Sequence, residues 1–460
     1  MITAFTIALD IVIGVLAVYT ARHYFFTLNR LFGRHRQPYV DVTIADWPQL
    51  FVFVPAHNEG AVLADSLEAL LASDYPPDRF VIVPIDDRST DNTRDIILGF
   101  ATRFPGRVVP HLRDAGPPGK SAVMREVALR FDGDVHMTFD ADYIPGPRLL
   151  RQLAAPFFDP EVGAVMGRVV PLNVGRSLLT RLLDLERAGG YQVDQQARMN
   201  LRLVPQYGGT VGGVRRTALR EVGGWHSDSL AEDTEMTFRL VTKGWDVVYQ
   251  NRSECYEEVP ETWPVRIRQI QRWAKGHNQA LLSYVGAMLR NRARLPLRQV
   301  VDGVLLLGVF VVPLLLIAGW ICTLALFYLG APPSWGPLAV LSVSSFSTVG
   351  NFAAFFQVAT ASRLDGSHER IRMLPFLLLG FLVSTISVAR ATLSRGSWLR
   401  GGGVSWDKTE RWRGRSTSAA YASGVAEFTP SRQSVPTPTN ASMSQSIRAT
   451  PTSSSRIHEG

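Results

Sequence analysis

Along the 460-residue chain the apolar positions fall into two kinds of run. Four are long and continuous: near residues 4–20, 301–329, 337–359 and 373–392. A helix needs about 20 apolar residues to cross the hydrocarbon core of a bilayer, so each is a candidate span. The first contains Asp10 and lacks a small-residue cleavage site, which reads as an anchor and not a removable signal. Pro313 lies inside the second, where a kink is expected. Between the first and second runs the pattern changes. Short apolar runs (FVFVPA, FVIVPID, VHMTFDAD, VGAVMGRV) alternate with helical periodicity (ADSLEALLAS, TRDIILGFATRF, SAVMREVALRF). Such alternation predicts βαβ units, a mostly parallel sheet and an α/β domain over about 47–260.

Charge orients these pieces. Arg22, Arg30, Arg34 and Arg36 follow the first span and nothing basic precedes it. Lys and Arg mark the cytoplasmic side, so the N-terminus is expected outside and the α/β domain inside. Arg290, Arg292, Arg294 and Arg298, just before the second span, agree, and the uncharged APPSWGP loop at 330–336 suits the outer face. Three later spans would then leave the C-terminus outside. Yet Arg390, Arg395 and Arg400 close or follow the fourth run, so one apolar segment is expected to be re-entrant or interfacial, with its identity open. Residues 261–299 interleave Arg and Trp like amphipathic helices on a membrane surface. From 416 the chain is rich in Ser, Thr and Pro, which predicts a disordered tail to 460. The expected organisation is a span at 1–21, the α/β domain at 47–260, interface helices at 261–299, spans at 300–393, a basic segment at 394–415 and the tail.

Composition narrows the function classes. The formal charge is +8, but the arginines gather beside apolar runs, which suits a membrane surface and not nucleic acid. Cys255 and Cys322 are the two cysteines; the first lies in a soluble stretch and the second in an apolar run, so neither a disulfide framework nor a cysteine-built zinc site is expected.

The chemistry lies at the strand ends, where parallel sheets hold their ligands. The first strand closes on Pro55-Ala56-His57-Asn58-Glu59, and the second on Asp86-Asp87, followed by Arg88-Ser89-Thr90-Asp91-Asn92-Thr93. Carboxylates there can grip nucleotide hydroxyls and base edges, although Asp91 equally suits a helix N-cap. The third ends in Asp140-Ala141-Asp142, an i, i+2 carboxylate pair suited to a hard cation such as Mg²⁺ or Mn²⁺ shared with substrate phosphates. Gly119-Lys120 opens a helix and suits a diphosphate, though GPPGKS lacks the spacing of a Walker loop. The glycines of Gly208-Gly209-Thr210-Val211-Gly212-Gly213 and Gly223-Gly224 let backbone approach a bulky ligand. Ala231-Glu232-Asp233 offers a carboxylate able to take a proton from an acceptor hydroxyl, with helix-dipole loading as the plainer reading. In Gln269-Ile270-Gln271-Arg272-Trp273 the arginine can clamp a diphosphate and the indole can stack on a sugar; the plainer reading is an interfacial anchor.

In this order the motifs resemble those of the processive family-2 glycosyltransferases, the cellulose, chitin, hyaluronan and poly-N-acetylglucosamine synthases, over roughly residues 48–280 and the flanking spans. The resemblance implies a GT-A α/β domain (a nucleotide-diphospho-sugar transferase fold) inserted between transmembrane α-helices. It implies that Asp233 is the catalytic base, with Ala231 departing from the usual Thr-Glu-Asp. Pro55, His57, Asn58, Glu59, Asp86, Asp87, Lys120, Asp140 and Asp142 would bind the donor. Asp140 and Asp142 would also hold Mg²⁺ or Mn²⁺. Glu232, Gln269, Arg272 and Trp273 would serve the acceptor and diphosphate. Trp406-Asp407-Lys408-Thr409-Glu410-Arg411 resembles a loop that covers the donor in related synthases, which needs the cytoplasmic side. The implied partners are a UDP-sugar, a polysaccharide or lipid-linked acceptor and the bilayer, with an accessory export subunit left open, and the implied place is the plasma membrane. Two other readings stand beside polymer synthesis: a non-processive transferase acting on a lipid, and a nucleotide-regulated channel or transporter.

Overall fold

The computed structural model describes residues 1–37, 39, 46–226, 230–291, 295–347 and 354–394. The Trp406–Arg411 motif, Arg292, Arg294, Arg395, Arg400 and the tail from 416 lie outside the described residues. In chain order the helix α1 (Ile2–Phe32) leads into β1 (Leu50–Ala56), α2 (Leu63–Leu71), β2 (Phe80–Asp87), α3 (Thr93–Arg103), β3 (His111–Arg113), α4 (Lys120–Arg130) and β4 (Val135–Thr138). Then come β5 (Ile144–Pro145), α5 (Leu149–Ala154), β6 (Val162–Pro171), α6 (Leu178–Ala188), a π-helical turn at Gly189–Gln195, α7 (Gln196–Asn200), β7 (Gly212–Arg215), α8 (Arg216–Glu221), α9 (Glu232–Lys243) and β8 (Asp246–Glu257). The chain ends its described course in α10 (Trp263–Arg290), α11 (Leu297–Leu307), α12 (Val312–Tyr328), α13 (Trp335–Ser347), α14 (Phe355–Leu364) and α15 (Leu377–Leu393).

One eight-stranded sheet, in the order β3-β2-β1-β4-β7-β6-β8-β5, organises the α/β domain. β1 pairs in parallel with β2 and β4, as expected for strands whose residues are nearly all buried on both faces. The expectation of a mostly parallel sheet needs a correction at its centre. β7 runs antiparallel to both β4 and β6, and it forms from the glycine-rich segment. A Cβ at Gly213 would press on the side chains of Met137 and Val135, so these glycines allow a strand to fit between two others. Apolar side chains fill both faces, with Val52, Val54, Ile82 and Met137 on one side and Phe53, Val83, Ile85 and Val214 on the other.

The helices outside the sheet depart from the expected spans. α1 extends to Phe32, and its end is fastened to the domain by the Arg30 guanidinium donating to the Gln192 carbonyl at 2.6 Å. The second run is broken at Gly308, so Pro313 sits in the first turn of α12, where its missing N–H is harmless, and not at a mid-helix kink. The third run is not one helix: α13 ends at Ser347, and α14 begins at Phe355 with its start capped by the Gln357 carboxamide. α14 packs on the α/β domain, Val358 against Leu182 and Leu185, and Ala361 against Ala188 and Val193. Among the described residues three helices are long and apolar enough to cross a membrane: Ile2–Phe32, Val309–Tyr328 and Glu369–Leu393.

Two packing patterns separate these helices. α1, α12 and α13 meet through Val12, Leu16, Val312, Leu316 and Leu341, and Thr20 and Ser344 share a hydrogen bond at 2.9 Å. α15 instead lies beside α10 along most of its length. Leu374 and Leu377 meet Trp263, Val388 and Ala391 meet Ile270 and Ala274, and the Asn278 amide donates to Thr392 at 3.0 Å.

Candidate active site

The ends of β1 and β2 form a tight polar turn. The Asp86 carboxylate, wholly buried, accepts from the Ser89 amide at 3.0 Å and from Arg94 at 2.8 Å. Asp87, also buried, accepts from Arg113 at 2.6 Å, from Arg88 at 3.0 Å and from the Gly119 amide at 3.3 Å. His57 Nδ1 contacts the Asp87 carbonyl at 2.7 Å, and Asn58, at φ +55°, accepts the Thr90 amide at 2.7 Å. Asp91 accepts the Thr93 amide at 3.0 Å in the turn before α3, but the N-cap position is Asn92 and not Asp91 as the alternative reading had it.

The end of β4 is different. Asp140 and Asp142 face the first turn of α9, which carries Glu232 and Asp233, and the start of α4, which carries Lys120. Lys120 forms an ion pair with Asp140. Burial works to lower the Lys120 pKa, but Asp140, Glu232 and Asp233 outweigh it and raise the pKa, so the ammonium stays charged. Burial and the neighbouring Asp233 push the Glu232 carboxyl up. Gly209, at φ +70°, lets the glycine-rich loop pass Asp233; a Cβ there would stand 3.1 Å from the Asp233 Cβ. Thr210 accepts the Asp140 amide at 3.1 Å and ties the same loop to the strand end.

The third wall is α10. Gln269 accepts from Arg266 at 2.7 Å. The Trp273 ring lies between two guanidinium groups, with Arg266 at 5.1 Å and Arg187 at 5.7 Å from its centroid. Arg187 donates to Glu257 at 2.6 Å, and Tyr143 donates to the same carboxylate at 2.6 Å. Burial and Glu257 push the Tyr143 phenol well above its ordinary pKa, so it remains a donor. Arg187, Glu257 and Tyr143 were not expected from the sequence. Arg187 sits in an ordinary amphipathic helix; the Glu257-Glu258 pair closing β8 was the available signal.

All three walls enclose one cavity of about 380 Å³. Of the expected site residues, Pro55, Glu59, Lys120, Asp140, Asp142, Glu232, Asp233, Gln269, Arg272 and Trp273 line it. His57, Asn58, Asp86 and Asp87 do not; they stand in the adjoining turn, with Asp87 reaching the wall through the Gly119 amide. The lining has nine carboxylates against five Lys and Arg side chains, a surplus of negative charge. Among the described residues no three His, Cys, Asp or Glu converge to hold a metal alone. Asp140 and Asp142 would supply two hard oxygen ligands to a divalent cation, with the others coming from outside this set.

Residues 48–276 match the family model described as glycosyltransferase like family 2. This is a family-2 glycosyltransferase domain. The transferase domain is similar to the probable glycosyltransferase YdaM of Bacillus subtilis, at 31% identity over 58% of this chain and 63% of that protein. A longer match, over 80% of this chain and 74% of the relative at 29% identity, is to a beta-monoglucosyldiacylglycerol synthase of Nostoc. Glucomannan 4-beta-mannosyltransferase 7 of Arabidopsis thaliana matches at 26% identity over 55% of this chain and 47% of its own length. The chain thus spans less than two thirds of two of these three relatives. Among solved structures, a mannosyltransferase of Pyrobaculum calidifontis in complex with GDP-Man and Mn²⁺ superposes with a TM-score of 0.54. It matches at 19% identity over 86% of this chain and 100% of its own. The transferase domain therefore has the GT-A-like α/β fold expected of it, with the curled sheet and its cavity at the strand ends.

Proposed function

We propose that this protein transfers a sugar, with inversion, from a nucleotide-diphosphate donor to a hydroxyl of a lipid-borne acceptor at the membrane face. The observation that carries this reading is the composition of the cavity wall. Asp140, Asp142, Glu232 and Asp233 line it together with Arg22 and His23 of α1 and with Leu305, Leu306 and Val309, which lead into α12. Acid–base chemistry and the apolar helices thus meet in one space, as an acceptor with a polar head and an apolar body requires.

Asp233 takes the proton of the acceptor hydroxyl while its oxygen bonds to the anomeric carbon and the bond to the diphosphate breaks. Asp140 and Asp142 would hold Mg²⁺ or Mn²⁺, which would neutralise charge on the departing diphosphate. Lys120 and Arg272 supply fixed positive charge beside the same group, and such preorganised stabilisation is the largest contribution expected. Trp273 stands at the cavity wall beside Arg187 and Arg266, where it would contact and orient a sugar ring. The turn holding His57, Asn58, Asp86 and Asp87 would take the nucleoside, and a UDP-sugar is the expected donor.

The arginines within and just after the second half of α1 support a transferase domain on the cytoplasmic side of the membrane. Three crossings, by α1, by Val309–Tyr328 and by Glu369–Leu393, would return the C-terminal segment to that side. This ordering removes the conflict over span parity. The lipid acceptor is supported by the Nostoc relative, whose match covers 80% of this chain, more than the transferase domain alone.

Growth of a polysaccharide is the second reading, favoured by the Trp273 platform. Purified protein supplied with a panel of UDP- and GDP-sugars, Mg²⁺ or Mn²⁺ and lipid vesicles tests both. Single additions to lipid are expected; long chains from one enzyme mean a polymer synthase, and no nucleotide release would end the enzyme reading in favour of a nucleotide-regulated channel or transporter.

A further inference from the structure

His277 lies one helical turn beyond Trp273 on α10 and plays no part in the chemistry above. It is buried, and its ring lies 4.7 Å from the Phe310 ring at a tilt of 47°. Its Nε2 is 3.1 Å from the Thr234 hydroxyl. Its Nδ1 is buried without a hydrogen-bond partner. Thr234 in turn is bonded to the residue before it: its amide donates to Asp233 Oδ1 at 2.6 Å, and its hydroxyl stands 3.3 Å from the same oxygen. The Gln206 amide donates to that hydroxyl at 2.8 Å, and Gln206 is itself clamped by Gln195 through bonds of 3.0 and 3.1 Å.

A count of protons settles the direction of these bonds. A neutral imidazole carries one N–H. On Nδ1 that donor would be stranded in the interior; on Nε2 it meets Thr234. Burial lowers the His277 pKa to about 4, so the ring is neutral near pH 7. The Thr234 oxygen then accepts from both His277 and Gln206. Its single hydrogen has one acceptor left, Asp233 Oδ1.

We propose that His277 is a positioning residue: with Gln206 it turns the Thr234 hydroxyl onto Asp233 and so holds the proton-accepting carboxylate in its ionised, correctly aimed form. This rests on Asp233 being the base. The close approach that makes it possible is visible next door. Gly276 meets Ala231 with no room for a side chain; a Cβ there would lie 2.6 Å from the Ala231 Cβ and 2.8 Å from its amide nitrogen. The departure from Thr to Ala at 231 and the glycine at 276 together bring α10 against the start of α9.

The test uses the full-length protein in detergent. With ¹⁵N-histidine labelling, the His277 signals, assigned by their loss in His277→Gln, should show the Nε2–H tautomer; the Nδ1–H tautomer overturns the relay whether or not turnover has been detected. In kinetics, His277→Phe keeps the volume and removes the donor. Its kcat should fall about 3- to 10-fold, the size expected for one hydrogen bond between neutral groups, with donor KM changed less than about twofold. The acid limb of its kcat/KM profile should move to higher pH, because the Thr234 hydroxyl that donates to the base is no longer held by His277. His277→Gln should recover most of the rate, and Thr234→Val should reproduce the loss while Thr234→Ser does not. Equal loss in His277→Phe and His277→Gln, or a folded His277→Phe with unchanged kcat and pH profile, overturns the proposal. A wild-type protein that releases no nucleotide overturns the enzyme reading instead, and the tautomer still decides whether the relay exists.

Discussion

Two acidic strand ends stand on either side of β1 in this domain and have been put to opposite uses. At the end of β2, Asp86 and Asp87 are buried and matched with arginine: Arg94 on the first, Arg113 and Arg88 on the second. At the end of β4, Asp140 shares one lysine with Glu232 and Asp233, and a raised Glu232 pKa records the crowding. The first pair is a closed unit that holds a turn and, through the Gly119 amide, the loop before Lys120. The second group keeps a deficit of positive charge, which a cation and a proton donor can satisfy. Two carboxylates close together mean little by themselves; the number of cations folded against them separates scaffold from chemistry.

The hardest way to break this comparison is to neutralise one member on each side. Asp142→Asn and Asp233→Asn should lower turnover by a factor of about 10³ or more, since they remove cation and proton acceptor. Asp233→Asn should leave donor binding near its starting value, measured by UDP displacement; loss of binding as well would count against a base. Asp87→Asn should act on the fold. It removes one of the partners of the buried Arg113 guanidinium, which keeps Glu126 and the Pro117 carbonyl; the lost charged hydrogen bond costs about 1.5–3 kcal/mol and shows as a lower thermal midpoint. If Asp87→Asn melts like wild type but loses donor affinity, then Asp87 belongs to the ligand, as the family resemblance implied, and the contrast drawn here fails.

Next in size is the joint between the two helices that carry the reactive side. Gly276→Ala forces α10 away from Leu230 and Ala231, because the new methyl group has backbone in its way. A shift of a few tenths of an ångström should loosen both Trp273 and His277, lowering kcat about 10- to 100-fold with modest change in stability. Retention of full activity would mean that α10 does not set the position of Asp233.

Much of this was legible in the sequence because strand-end chemistry is local. The runs closing on His57, Asp87 and Asp142 could be read directly, since a strand of period two followed by turn residues leaves few alternatives. What could not be read was pairing across distance. Nothing near Asp87 announces Arg113 as its partner, and Arg187 looks like any charged residue on a helix until β8 brings Glu257 to it. The glycine-rich segment was read as allowing close approach to a ligand; part of it forms β7, where Met137 and Val165 crowd the place where a side chain would go. The apolar run at 337–359 was read as one span, yet Gln357, Thr360 and Ser362 give α14 a polar content that suits contact with the domain and not lipid.

A smaller effect would sharpen the role of the shared lysine. Lys120→Gln removes the cation that competes with a divalent metal for Asp140. Turnover should fall, about tenfold, because the leaving diphosphate loses a positive neighbour. The Mn²⁺ concentration giving half-maximal rate should nevertheless drop, because the carboxylates are left more negative. A rise in that concentration would place Lys120 on the metal's side and not in competition with it.

The smallest expected effect concerns protons on the neutral side chains around the sheet. Burial lowers His136 and His277 to about 4, against about 6.5 for an exposed imidazole. Between those values the unfolded chain binds protons that the native one refuses. Stability is therefore full above about pH 6.5 and declines as pH falls toward 4, by up to about 1.4 kcal/mol per pH unit for each histidine. The two differ in what surrounds them. His136 contacts the Phe131 carbonyl at 3.1 Å and serves the core, whereas His277 faces the cavity and the Thr234 hydroxyl. Thermal midpoints measured at pH 7 and pH 5 should differ less in His277→Gln than in wild type, because one of the two refusals has gone. An unchanged difference would mean that His277 takes up its proton in the native state, which would put an N–H on Nδ1 where no acceptor stands among the described residues.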